Sequence, residues 1–153
     1  MNALMFGHAG AMLLVLAGGE LMTSPAAARV QSVEAGVCSA IDGDTLRCGQ
    51  VRIRLLGIDA AEKKGHCRQG RVCAPGDPEA QRAALQRRVQ TGITIMPIKR
   101  DRYGRMVAIV HSAAGINLSC AMLKDGASYV ARWDDRKAIQ RSCSSTVREA
   151  NHL

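Results

Sequence analysis

Hydrophobic and polar positions alternate strictly in residues 51–55, where three aliphatic residues are separated by two arginines. This period of two is typical of a half-buried β-strand. Upstream, an Asp-Gly-Asp sequence at 42–44 separates two β-prone runs, 37–41 and 45–47, and this pattern predicts a hairpin. The alternation slips by one residue at Gly57, which predicts a bulge that redirects the residues that follow.

A helix is predicted to begin at Pro78, because Asp77 can cap it and proline is well tolerated in the first turn. It follows a long, glycine-containing, positively charged segment at 63–77, which we call the basic loop. Loops of this length in compact domains are often functional. The later pattern predicts strands at 93–98 and 106–110, a helix at 118–125 capped by Asn117, a last helix at 134–143, and a frayed polar tail.

Five short strands with a helix inserted after the third predict an α+β fold that is mainly β. The order suits a five-stranded Greek-key barrel of the OB type with about three helices. We expect the domain to span residues 29–143, after a leader at 1–28 and before a polar tail at 144–153.

The leader has the pattern of a signal peptide. Residues 3–19 are almost wholly apolar, and three alanines at 26–28 offer a cleavage site. This predicts export to a bacterial periplasm or the exterior, with no stable membrane association after cleavage. The segment carries no Lys or Arg before the apolar run, however, so an uncleaved N-terminal membrane anchor is the alternative.

Six cysteines, all downstream of the leader, support export because an even number suits a disulfide set. If the hairpin turns at Gly43, the first two cysteines face each other across it. The next two close a short loop, and the last two remain as a pair by elimination. A zinc site at His66 and the two cysteines of that loop is the alternative, although CxxC spacing is missing. The pairs are Cys38 with Cys48, Cys67 with Cys73, and Cys120 with Cys143.

The chain is basic, with 21 Lys and Arg against 13 Asp and Glu and a formal net charge of +8. Such a balance favours nucleic acid or an anionic membrane surface as a partner. Tyr103, Tyr129 and Trp133 are the aromatic residues after the leader. A protein that stacks many successive bases usually has more aromatic side chains, so contact with phosphate is favoured over base stacking.

Three motifs occur in order: IDGDTL at 41–46, VRIRLLGIDAAE at 51–62 and DRYGR at 101–105. Their order and spacing resemble the staphylococcal nuclease (thermonuclease) family over about residues 37–131. The resemblance implies an OB-type barrel and calcium-dependent hydrolysis of phosphodiester bonds in DNA and RNA, with 3′-phosphate products. It implies binding through the phosphate backbone, with little sequence specificity, and we expect a monomer.

The resemblance also assigns roles to individual residues. Two carboxylates and one backbone carbonyl are expected to bind the metal. Three charged side chains are expected to contact phosphate and activate water. Two residues of the third motif are expected to bind the substrate. The metal-binding residues are Asp44, Asp59 and Ala60, the catalytic residues are Arg54, Glu62 and Arg105, and the substrate-binding residues are Tyr103 and Arg102.

These residue types suit the chemistry, since a hard cation and forked arginines neutralise charge on phosphate oxygens and a carboxylate can position water. Another divalent metal would also suit the carboxylates. The family commonly has proline at the position of Ala61, and its loss predicts a mobile Glu62 and a lower rate. Each charged residue alone could be a surface charge: Arg105, for example, could simply pair with Asp101. A catalytically weak or dead OB-type module that binds nucleic acid or protein is therefore the alternative.

Overall fold

The computed structural model describes residues 29–34 and 36–150 of the 153-residue chain. The expected signal peptide, or membrane anchor, at 1–28 lies outside the described residues. Among the helices in the described ranges, none is both long enough and apolar enough to cross a membrane.

A six-stranded mixed sheet forms the body of the molecule, and a two-stranded sheet lies beside it. The strands are β1 (Gln31–Val33), β2 (Cys38–Ala40), β3 (Thr45–Cys48), β4 (Val51–Leu55), β5 (Ile58–Asp59), β6 (Ile93–Arg100), β7 (Met106–Ser112) and β8 (Ser128–Tyr129). The large sheet has the order β1-β6-β7-β4-β3-β2, and its pairs are antiparallel except for the parallel pair β4–β7. The five expected strands correspond to β2, β3, β4, β6 and β7.

The hairpin of β2 and β3 has the expected register, with Cys38 opposite Cys48. A disulfide joins these two cysteines, and two more join Cys67 to Cys73 and Cys120 to Cys143. These are the three pairings that the sequence indicates. Because the two cysteines of the basic loop are bonded to each other, their sulfurs are not available as zinc-binding thiolates.

Four α-helices cover the sheet: α1 (Pro78–Val89), α2 (Leu118–Lys124), α3 (Ala138–Ser142) and α4 (Ser144–Ala150). The carboxylate of Asp77 accepts hydrogen bonds from the backbone N–H groups of Glu79 and Ala80, and Asn117 caps α2 in the same way. Both helices therefore begin where the capping residues predict. The core lies between the helices and the sheet, and its largest fully buried side chains include Leu46, Ile53, Leu55, Leu85 and Met122.

The structure differs from the expectation at both ends of the described chain. Residues 144–150 form α4 rather than a frayed tail, because Val147 is buried in the core and α4 contacts α2. The helix expected at 134–143 is α3, which begins at Ala138, after a short 3₁₀ turn, rather than at Asp134. The expected extended lead-in contains β1, which pairs with β6.

Candidate active site

Arg54 lies between two buried aspartates at the end of β4. Its Nη1 is 2.6 Å from Oδ1 of Asp44, and its Nη2 is 3.1 Å from Oδ1 of Asp59. The same Nη2 donates to the carbonyl oxygen of Ile58. We call Asp44, Arg54 and Asp59 the arginine junction. One residue of the first motif and two residues of the second motif therefore meet at one point.

The turn at Leu56-Gly57 brings Asp59 to the junction. Gly57 has φ +74°, a left-handed conformation that favours glycine, and a Cβ there would lie 3.0 Å from Cγ1 of Ile139. The chain leaves β4 at Leu55 and starts β5 at Ile58. The bulge predicted at Gly57 is instead a tight turn between two strands, and it redirects Asp59 as expected.

Asp44 is buried and held by several donors. Its Oδ1 accepts from the hydroxyl of Thr45, and its Oδ2 accepts from the backbone N–H of Ala60, each at 2.8 Å. Burial raises the pKa of Asp44 above its ordinary value, and the charge of Arg54 opposes that rise. A nearby cation therefore favours the ionised form of this carboxylate.

Arg71, in the basic loop, reaches the same carboxylates. Its Nη2 is 2.6 Å from Oδ2 of Asp59, and its Nη1 is 3.3 Å from Oε1 of Glu62. The sequence identifies the basic loop but does not single out this residue, because several other Lys and Arg residues lie in the same loop. Asp59 is therefore held by two arginines, one from a strand and one from a loop.

Trp133 also reaches the junction from a short 3₁₀ turn at Ala131–Trp133. The guanidinium carbon of Arg54 lies 5.0 Å from the centre of its ring, and that of Arg71 lies 5.8 Å away. Stacking of this kind favours a defined guanidinium orientation. The sequence shows a single tryptophan outside the three motifs, and its spacing gives no indication that it reaches them.

The third motif also lines the site. Nε of Arg105 is 2.7 Å from Oδ2 of Asp101, which is the pairing considered as the alternative, and the guanidinium lies 5.4 Å from the ring of Tyr103. Arg102 donates a hydrogen bond of 2.7 Å to the hydroxyl of Tyr103. This bond lowers the pKa of Tyr103. Arg105 makes the ion pair and faces the site as well.

The backbone before Glu62 is fixed despite the missing proline. The N–H of Ala61 donates to Oε1 of Gln81 at 2.8 Å, and the side chain of Gln81 is buried in α1. Ala61 also forms an isolated bridge with Ala74. Gln81 therefore supplies the restraint at Ala61 that proline was expected to give, and it is a further residue that the motifs do not reveal.

An open cleft of about 970 Å³ joins these groups. It is lined by eight arginine or lysine side chains and four carboxylates, so its wall carries a positive excess. Asp44, Arg54, Ala60, Glu62, Arg102, Tyr103 and Arg105 all line it. Asp59 bonds to two of the lining arginines. The structure thus brings all eight predicted site residues together around one cleft.

The family described as staphylococcal nuclease homologue matches residues 52–152. The chain belongs to this family. Two curated relatives, each named "Uncharacterized endonuclease", come from Escherichia coli O157:H7 and Escherichia coli, and they are 33% and 32% identical over 100 residues. Each match covers 61% of this chain and 58% of the relative, so the chain spans little more than half the length of these relatives. Family membership confirms the predicted OB-type class.

The donor set of this nuclease-family site suits a hard cation. Asp44 and Asp59 are nearly fully buried and converge on one positively charged group, the guanidinium of Arg54. Within residues 29–34 and 36–150, no group of three or more His, Cys, Asp or Glu side chains is arranged to hold a metal. Two carboxylates alone leave most positions of a calcium ion to carbonyl, water or substrate oxygens. The residues present therefore fit a metal site that protein and substrate complete together better than a site formed by the protein alone.

Proposed function

We propose that this protein is a calcium-dependent nuclease that hydrolyses phosphodiester bonds of DNA and RNA with little sequence preference. The observation that supports it best is the cleft itself, where an excess of cationic side chains surrounds the arginine junction and Glu62. A phosphodiester is an anion, and its hydrolysis adds charge to its oxygens, so such a cleft favours both binding and reaction. The names of the two relatives agree with an endonuclease.

The proposed roles follow from the side chains. Arg54 and Arg105 donate forked hydrogen bonds to phosphate oxygens, and Glu62 orients the attacking water or takes its proton. Asp44, Asp59 and the carbonyl of Ala60 would hold calcium. When bound, the ion neutralises charge on the phosphate oxygens. Water attack at phosphorus would leave a 3′-phosphate and a 5′-hydroxyl.

The composition of the cleft favours recognition of a nucleic acid through its phosphate backbone. Phosphate contacts made by Lys and Arg carry no sequence information. Tyr103 is 47% exposed at the rim and is oriented by Arg102, so it can pack against one nucleotide beside the scissile phosphate. One such ring is too little to read a base sequence. We therefore infer broad cleavage of single-stranded DNA and of RNA.

Export is part of the proposal. Three disulfides in a domain of this size are typical of an oxidising compartment such as the bacterial periplasm or the exterior. The expected leader at 1–28 would direct the chain there. N-terminal sequencing of the protein recovered from the periplasmic fraction tests this: a mature chain that starts near Arg29 supports export with cleavage, and a retained Met1 supports a membrane anchor.

The enzymatic proposal is tested with the purified chain, its disulfides intact, and labelled single-stranded DNA or RNA. We expect cleavage with calcium and none with excess chelator, and end-group analysis should find 3′-phosphates. Arg105→Ala should lower the rate by at least about 100-fold, because it removes a charged donor to the transition state. Arg87→Ala is the matched control, since Arg87 is exposed on α1 and lies outside the cleft.

Two outcomes would reject the enzymatic proposal. Calcium-independent cleavage that survives Arg105→Ala, in a preparation free of other nucleases, would show that the proposed metal and Arg105 are not needed. Salt-sensitive binding of DNA without cleavage under any divalent metal would instead support the binding-module alternative.

A further inference from the structure

The two carboxylates of the arginine junction and the neighbouring carboxylate of Glu62 share two arginines, Arg54 and Arg71. Arg54 pairs with Asp44 and Asp59, and Arg71 pairs with Asp59 and Glu62. If all five groups are ionised, the cluster carries one net negative charge. Adding a divalent cation would reverse that sign and leave one positive charge, which one phosphodiester neutralises. The cluster is thus balanced for the joint binding of a divalent cation and a phosphodiester.

The two arginines differ in how firmly they are held. Arg54 lies on a central strand, its side chain is 13% exposed, and it also donates to the carbonyl of Ile58. Arg71 lies on the basic loop, and its side chain is 33% exposed. Its polar contacts include two of the carboxylates that the proposed function assigns to metal and water. Arg71 is therefore the arginine that can change partner at the smaller cost.

The loop keeps Arg71 close when its partner changes. The Cys67–Cys73 disulfide closes the segment that carries it, and the Ala61–Ala74 bridge ties the end of that segment to the chain beside Glu62. The guanidinium lines the same cleft as Arg54 and Arg105. The guanidinium can thus leave the carboxylates for a phosphate bound in the cleft while its loop stays in place.

We propose that Arg71 is a third phosphate-binding residue, which pairs with Asp59 and Glu62 in the free protein and transfers to the substrate phosphate when a divalent cation takes its place at the carboxylates. This inference rests on the proposed function and adds a residue to it. The transfer also frees an oxygen of Glu62 for water. Arg71 and the metal therefore compete for the carboxylates in the free protein, whereas Arg71 and the phosphate attract each other in the complex.

The competition predicts opposite changes in two affinities of Arg71→Ala and Arg71→Gln. Calorimetric titration with calcium alone should give about 10-fold tighter binding, because the carboxylates lose a competing cation. A single-stranded phosphorothioate oligonucleotide that resists cleavage, titrated in saturating calcium, should bind about 10-fold more weakly. The slope of log affinity against log salt should become shallower by about 0.7, the value for one lost phosphate contact on a single strand.

Arg87→Ala serves as the control and should change neither affinity. Arg71→Lys keeps the charge but loses the forked donor, so its oligonucleotide affinity should fall between those of the wild type and Arg71→Ala. Circular dichroism of each variant checks that it is folded. If Arg71→Ala and Arg71→Gln change the affinities equally, the change is caused by the lost charge and not by the lost side-chain volume.

The inference is overturned if the Arg71 variants bind calcium more weakly, which is the result of a purely structural role, or if their oligonucleotide affinity and salt slope equal those of the wild type. In either case, a wild-type protein that binds calcium and cleaves DNA would keep the proposed function intact. A wild-type protein that binds no calcium, either alone or with the oligonucleotide present, would overturn both.

Discussion

At the scale of single residues, the two tyrosines of the chain have opposite surroundings. Burial, together with a hydrogen bond of 2.9 Å donated to Oδ2 of Asp134, raises the pKa of Tyr129 to about 12. The hydrogen bond from Arg102 lowers the pKa of Tyr103 below its ordinary value of 10.0. We predict that an ultraviolet titration of the folded protein shows two separate steps, one below pH 10 and one near pH 12.

Single variants assign the two steps. Tyr103→Phe should remove the lower step and Tyr129→Phe the upper one. Because the pKa of Tyr129 is higher in the folded state than in the unfolded chain, its contribution to stability is complete below pH 10 and is lost as the pH rises through about 12. A single two-proton step near pH 10 would contradict the environments described for both residues.

Arg54 is also a test of the structure at the residue scale. Arg54→Ala should lower the free energy of unfolding by about 3 kcal/mol, because it leaves two buried carboxylates short of a cation. Arg52→Ala is the matched control, since Arg52 lies on the same strand with an exposed side chain and should change stability by less than about 0.5 kcal/mol. Urea unfolding without metal measures both. Equal losses in the two variants would mean that the junction is not a buried ion pair.

At the scale of elements, strong local signals predicted the fold well. The β2–β3 hairpin, β4 and α1 follow from turn chemistry, alternation and capping, and all three form where expected. The polar sequence of α4 conceals it, because Val147 is the one large aliphatic residue of that helix and packs into the core. Its stability comes from tertiary contact, which a local pattern does not contain.

The site was predictable to the extent that it lies in the three motifs. Arg71, Gln81 and Trp133 come from a loop, a helix and a 3₁₀ turn, and each reaches the motifs only through the fold. Periodicity says which face of an element is buried, but it does not say which element lies against it. The length and charge of the basic loop indicated a functional segment, yet the choice among its cations required the structure.

The contact between α1 and the chain before Glu62 gives an element-scale prediction. Gln81→Leu should destabilise the protein by about 1–3 kcal/mol, since it leaves the buried N–H of Ala61 without its acceptor. Ala61→Pro, which restores the residue common in the family, should also destabilise it, because proline has no N–H to donate to Gln81.

The double variant decides whether these effects share one hydrogen bond. Combining Gln81→Leu with Ala61→Pro leaves neither donor nor acceptor at that contact, so the total loss measured by urea unfolding should be smaller than the sum of the two single losses. Strictly additive losses would show that Gln81 and Ala61 act independently. A stabilising effect of Ala61→Pro would show that the backbone there is not restrained by α1.

At the scale of the whole molecule, the disulfides act over different lengths of chain. Cys120–Cys143 joins α2 to the residue that follows α3, across a separation of 23 residues, and Cys143 is buried. Cys67–Cys73 spans a separation of 6 residues in the basic loop. A longer closed loop restricts the unfolded chain more, so the bond between α2 and α3 should contribute more to global stability.

Paired alanine variants separate the contribution of each disulfide to stability from its contribution to oligonucleotide binding. Cys120→Ala with Cys143→Ala should lower the free energy of unfolding by about 3 kcal/mol, measured by urea unfolding, whereas Cys67→Ala with Cys73→Ala should lower it by no more than about 2 kcal/mol. The second pair should nevertheless weaken oligonucleotide binding in calcium more than the first, because it releases the loop that carries Arg71. If the loop pair left that affinity unchanged, the disulfide would have no part in positioning Arg71, and closure of the basic loop would be a matter of stability alone.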